Sequence, residues 1–118
     1  MNLTIDRLQQ VLLKSYDRKT AYPKCRDGWR EDNPAYGQCV PTSLLVQHYF
    51  GGEIYKKDDH YFNVIKGEVI DLSRSQFDYD FDYSNSKKKQ PSLDQARTQE
   101  RYELLKERVE KYLIKEEE

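Results

Sequence analysis

Apolar positions fall into helical register near both ends of this chain and alternate with polar ones in its middle. Ile5, Leu8, Val11 and Leu12 are three and four residues apart, which lines one side of a helix. Thr4 stands where its hydroxyl can cap the first turn, so a helix is predicted over residues 5–16. Toward the other end, Leu105, Val109, Tyr112 and Leu113, with Ala96 and Tyr102 farther up, mark the docking face of a long helix. Ser92 and Gln95 have the spacing of a capping box, which predicts that this helix starts there and runs to about residue 115. Glu107 and Lys111 are spaced for an i,i+4 pair on its exposed side. Its acidic end, residues 116–118, sits at the negative pole of the helix and is expected to fray.

The middle of the chain is denser in apolar residues. Residues 39–49 read CVPTSLLVQHY and predict a buried central helix. Pro41 fits its first turn, and Gly51-Gly52 ends it. Three short strands follow, at 53–56, 60–65 and 68–72. Lys66-Gly67 is a two-residue connection, so the last two strands form an antiparallel hairpin. In that register Val64 faces Val69, Asn63 faces Ile70 and Phe62 faces Asp71. Residues 73–77 make a helical turn.

Two stretches resist a regular reading. Residues 17–38 are punctuated by Pro23, Gly28, Pro34 and Gly37, and a loop of this length in a small domain is uncommon unless functional or disordered. Trp29, the one tryptophan, either pins this loop to the core or walls a substrate groove. Residues 77–83 read FDYDFDY, whose period of two fits an edge strand or an extended arm with one aromatic face. That face packs on its own domain or meets a partner. Residues 84–91 read as a flexible basic linker.

Composition narrows the function classes. With 118 residues, one domain is expected: an N-terminal helix and long loop (1–38), a catalytic-type core (39–77), an aromatic and acidic arm with its linker (78–91), and a C-terminal helix (92–118). Hydrophobic residues make up 36% and charged residues 35%, so ten tyrosines must supply much of the buried area. A formal net charge of −1 gives no basic field for nucleic acid. No apolar run approaches the length of a membrane span, and the charged N-terminus is unlike a signal peptide. A cytoplasmic protein without a membrane partner is expected. Cys25 and Cys39 do not make a disulfide framework. With His48 and His60 they lack the close-spaced pairs of a zinc site, so neither metal nor cofactor is expected.

What remains is a constellation. Cys39 opens a helix, His60 opens a strand, and Asp71 lies on the next strand. A helix N-terminus and a histidine partner both favour a thiolate, and the backbone N–H of the cysteine can help hold an oxyanion. By itself a single cysteine is more often an inert core residue than a nucleophile. The hairpin register adds that His60, Phe62, Val69 and Asp71 project to one face while Asn63 projects to the other. It therefore selects Asp71 over Asn63 as the group that orients His60. His48, on the same helix as Cys39 and more than two turns away, is read as structural or exposed.

That order is the layout of a papain-like or transglutaminase-like thiol site, which gives an α+β fold class: the Cys39 helix on a short antiparallel sheet, flanked by N- and C-terminal helices. The blocks GQCVPTSLLVQHYFGGEI and HYFNVIKGEVIDLS with SQF, and the later ERYELLKERV, resemble the YunG-like family of small bacterial proteins. The likeness spans most of the chain, with Pro41 and Ser73 as departures. It implies a bacterial or phage origin and a papain-like cysteine-hydrolase fold, and it supplies no substrate. In papain-like enzymes a glutamine side chain upstream of the cysteine often completes the oxyanion site. Here Gln38 is the choice and Asn33 the alternative, while Gln38 fits a helix-capping role equally. The reading that follows is a cysteine hydrolase or acyltransferase acting on a peptide or other amide or thioester substrate, with oligomeric state left open. Its rivals are a non-catalytic binding or regulatory module on the same fold and a metal-binding protein using Cys39, His60 and Asp71.

Overall fold

The Thr4 hydroxyl accepts the backbone N–H of Arg7 at 3.1 Å, and helix α1 (Ile5–Ser15) begins behind that cap. The structure, a computed structural model, describes residues 3–117, with side chains over 3–115. Leu8, Val11, Leu12 and Ser15 form the buried face of α1, as their spacing predicts. Helix α2 (Cys39–Phe50) buries every residue from Pro41 to Val46. Over that stretch it is a central helix covered on all sides, not an amphipathic surface one, and His48 near its end is exposed. Helix α3 (Thr98–Glu117) brings Leu105, Val109 and Leu113 into the same core. These residues meet Leu8, Val11 and Leu12 of α1 and Leu45 and Val46 of α2.

The sheet has four antiparallel strands in the order β3-β2-β1-β4, where β1 is Glu53–Lys57, β2 His60–Ile65, β3 Glu68–Ile70 and β4 Lys87–Lys88. Lys66 and Gly67 both have positive φ, 51° and 80°, the backbone that a two-residue hairpin turn requires. The register is Asn63 to Ile70, Val64 to Val69 and Ile65 to Glu68, as read from the turn, although β3 ends at Ile70, short of residue 72. Asn63 points to α2, donating from Nδ2 to the Ser43 carbonyl at 2.9 Å. His60 and Phe62 lie on the alternate set of positions and take their ring contacts from the arm.

Three expectations change. The long helix does not begin at Ser92: Ala96 and Arg97 adopt φ of 54° and 56°, a left-handed pair that no right-handed helix spans. The Ser92 hydroxyl instead accepts from Asp94 N–H in a local turn. The helix extends to Glu117, beyond the expected end near residue 115, and residue 118 lies outside the described residues. Second, residues 84–91 are not simply linker, because Lys87 and Lys88 pair with Lys56 and Tyr55 as a fourth strand. Lysines on an edge strand discourage pairing with another chain. Third, residues 77–83 form no strand. The rings of Phe77, Phe81 and Tyr83 pack against His60 and Phe62 of the sheet, while the β1 edge is occupied by β4. One 3-10 turn, Pro23–Gly28, interrupts the 17–38 loop, and another, Arg74–Gln76, follows β3, where a helical turn was expected.

Arg108 locks α3 to the end of α1, donating to the Ser15 carbonyl at 3.0 Å and pairing with Asp17 at 2.9 Å. Burial works against ionisation of Asp17, but Arg108 and the Lys19 and Thr20 N–H groups outweigh it and hold its pKa below the usual value. Leu105 is fully buried where the three helices meet. Leu105→Ala is expected to lower stability by about 2–5 kcal/mol, the usual cost of a cavity at a buried leucine, read from urea unfolding.

Candidate functional site

Three elements bring the candidate residues together. Helix α2 places Cys39 in its first turn, β2 begins at His60, and the chain leaving β3 carries Asp71. As the first helical residue, Cys39 has no intrahelical acceptor for its N–H, so that donor is available beside its own sulfur. The thiol is half-buried and points toward the Asp59 carbonyl, 4.0 Å away. His60 Nε2 lies 2.6 Å from Asp71 Oδ2. The two side chains are 5% and 3% exposed, so this is a covered pair. Asp71 engages Nε2, so Nδ1 is the other nitrogen of the ring.

The electrostatics follow from that packing. Burial alone pushes the His60 pKa down, but hydrogen bonding and charge from Asp71 and Cys39 outweigh it and raise the value to about 9. His60 is therefore mostly protonated at neutral pH. Asp71 is in turn held by Ser73, whose N–H and hydroxyl both reach Oδ1 at 3.3 Å. Tyr16, at the end of α1, hydrogen-bonds Thr42 at 2.7 Å. Burial raises its phenol first, and Asp71 and Cys39 add to that. Arg101, only 1% exposed, bonds the Ala96 and Thr20 carbonyls and, at 3.5 Å, the Thr98 hydroxyl. Desolvation lowers its pKa, and Cys39 charge opposes the shift.

The other expected residues have different surroundings. Gln38 is fully buried and makes no side-chain cap bond. Its Nε2 donates to the Asp17 carbonyl at 2.9 Å, while Oε1 has no hydrogen-bond partner among the described residues. It thus ties the 17–38 loop to the helix start, and no face of it is open to a substrate. Asn33 donates from Nδ2 to the Gln76 carbonyl at 3.2 Å, joining the same loop to the turn after β3. Trp29 is 8% exposed. Its indole N–H donates to the Pro34 carbonyl at 3.0 Å, and the Arg18 guanidinium lies 6.0 Å from the ring centre. The ring braces the loop and leaves little surface to wall a groove. Gly37 lets the chain pass Cys25 before the α2 helix, since a Cβ there would stand 2.8 Å from the Cys25 Cβ. Both cysteines are free thiols, and His48 is exposed, edge-on to Tyr49.

The sequence reading missed Tyr83, whose hydroxyl donates to Asp71 Oδ2 at 2.7 Å. The period-two aromatics of the arm were the available signal, but nothing in their spacing says which residue they face. Surface clefts between α1 and α3 (Lys14, Arg108, Tyr112) and between α2 and α3 (His48, Phe50, Ile114) are lined by none of Cys39, His60 and Asp71. Among the described residues, no helix is long and apolar enough to cross a membrane, and no group of three or more His, Cys, Asp or Glu side chains is arranged to hold a metal ion.

Comparison with known proteins gives one family. The family model described as "YunG protein" matches residues 4–114. A protein of Bacillus subtilis (strain 168) named "Uncharacterized protein YunG" is 30% identical over 115 residues, covering 92% of this chain and 94% of that protein. No solved structure matches the chain significantly.

Proposed function

The chain belongs to the YunG family, and from that premise we propose that it is a thiol-dependent hydrolase or acyltransferase of papain-like design acting on an amide or thioester. The observation that carries this reading is the covered His60–Asp71 contact at 2.6 Å, on a strand that begins next to the Asp59 carbonyl toward which the Cys39 thiol points. A cationic imidazole beside a thiol at a helix N-terminus favours the thiolate. The thiolate attacks the carbonyl carbon, forming an S–C bond and a tetrahedral oxyanion, which the Cys39 N–H helps to stabilise. His60 gives its proton to the leaving amine or thiol as the C–N or C–S bond breaks. Water or an acceptor amine then attacks the thioester, losing a proton to His60, and Cys39 is released as thiolate. Asp71 keeps the ring oriented throughout.

A p-nitrophenyl ester or a small acyl thioester tests this. Intact-mass analysis after brief mixing is expected to show one acyl group on Cys39, lost on standing as the product is released, and none on Cys39→Ala. Acylation divided equally between Cys25 and Cys39 would sink the proposal. A second reading has an observation of its own. The covered His60 and Asp71 suit a binding module on this fold, in which the aromatic arm is the working surface.

A further inference from the structure

Asp71 has a second partner on the oxygen that faces His60. Its Oδ2 takes the His60 ring at 2.6 Å and the Tyr83 hydroxyl at 2.7 Å, while Oδ1 takes Ser73. Tyr83 gets there because residues 77–83 fold back over the sheet. Phe77 and Phe81 meet the His60 ring edge-on, each at a centroid distance of 4.8 Å. Tyr83 meets Phe62 at 4.8 Å and Phe81 at 5.0 Å. The aspartates between the rings turn outward and tie the arm down: Asp80 pairs with Arg74 at 2.7 Å and Asp82 with Lys57 at 3.2 Å. Phe77, Phe81 and Tyr83 turn inward and Asp80 and Asp82 pair outward, which accounts for most of the FDYDFDY alternation, while Tyr79 is 61% exposed.

We propose that Tyr83 is a positioning residue for the His60–Asp71 pair, delivered to it by the arm, and that its hydroxyl limits how strongly Asp71 draws the imidazolium. The proposal rests on reading Cys39, His60 and Asp71 as a thiol site. Two donors on one carboxylate oxygen divide its negative charge between them, so each is held less tightly than it would be alone. Burial first, and then the neighbouring Asp71, push the Tyr83 phenol above its ordinary range, so it stays a donor throughout the working range. Other ionisable groups surround the pair: Cys39 from α2, Tyr16 from α1, Lys57 across the strand pair from His60, and Arg74 beside Tyr83. Among the described residues none of these four hydrogen-bonds to Oδ2.

Tyr83→Phe keeps the ring on Phe62 and removes only the hydroxyl. The chain has two histidines, so the imidazole C2 protons can be followed by NMR titration and assigned with His48→Gln. The His60 midpoint is expected to rise by about half a unit to one unit in Tyr83→Phe, since one donor competing for Oδ2 is gone, while His48 is unchanged. An unmoved or lowered His60 midpoint would overturn the proposal. If Tyr83→Phe is too unstable to titrate, Asp82→Asn loosens the arm from Lys57 and is expected to shift the midpoint in the same direction by less, and no shift there overturns it as well. The readout is independent of catalysis. Failure of Cys39 to react in the unaltered protein removes the thiol-enzyme reading, whereas an unmoved His60 removes the role of Tyr83.

Discussion

Replacing His60 with alanine is expected to slow alkylation of Cys39 by iodoacetamide on the order of a hundredfold at pH 6, because an unassisted thiol there is mostly protonated. Cys25 should be unaffected by the substitution, which makes it the internal reference. The argument runs through the ring. His60 carries its proton up to about pH 9, it is almost fully covered, and Asp71 holds Nε2. Such a ring presents a fixed positive charge to whatever lies at Nδ1. Alanine removes that charge and leaves the helix N-terminus as the remaining support for the thiolate, a contribution of about 0.3–1 kcal/mol. Mass mapping of both cysteines over a short time course reads the effect directly. Equal rates for the variant and the unaltered protein at pH 6 would show that His60 does not act on the sulfur.

Asp71→Ala is expected to cost about 3–5 kcal/mol of stability at pH 7, the scale for removing one partner of a buried ion pair. Four donors lose their acceptor together: the His60 ring, the Tyr83 hydroxyl, and the Ser73 N–H and hydroxyl. Urea unfolding measures the loss. The pH dependence has a definite sign. His60 has a folded-state pKa raised to about 9 from its ordinary value of 6.5. Its contribution to stability is therefore complete below about pH 6.5 and is lost as pH rises through 9. Asp71→Asn, which keeps the shape and removes the charge, should flatten the profile across that window. A profile as steep in Asp71→Asn as in the unaltered protein would mean that the stability change arises elsewhere.

Much of the frame is legible in the sequence because the cues are local. Thr4 is read as a cap and is one. Lys66-Gly67 fixes the hairpin register residue by residue, and that register by itself separates Asp71 from Asn63. Asn63 indeed turns to the Ser43 carbonyl on the opposite face. The misses share a cause, which is that distant contacts decided them. Ser92 and Gln95 satisfy a capping pattern, yet Ala96 and Arg97 break the backbone just behind them while Arg101, anchored under the 17–38 loop, bonds the Ala96 carbonyl. Gln38 sits beside the thiol in sequence, but its amide is drawn into the interior by Asp17, twenty-one residues earlier. The aromatic arm announces its two faces by alternation, and only the folded chain shows that one of them seals His60 and Asp71.

The arm also changes how access to the site must be understood. In this conformation the sulfur is half-exposed while the histidine and aspartate are covered. On the proposed thiol-enzyme reading, a carbonyl would reach Cys39 from outside, with His60 acting from beneath the aromatic cover. Water-excluding surroundings strengthen the His60–Asp71 interaction, which is useful for a pair that must orient one ring.

The most direct measurement is the iodoacetamide rate at Cys39 and at Cys25 in the unaltered protein, taken across pH 5 to 9 with limiting reagent. The account requires Cys39 to label rapidly well below pH 8 and to outpace Cys25 most strongly at the acid end. A Cys39 rate no greater than that of Cys25 or of a free thiol, at every pH in that range, would contradict it.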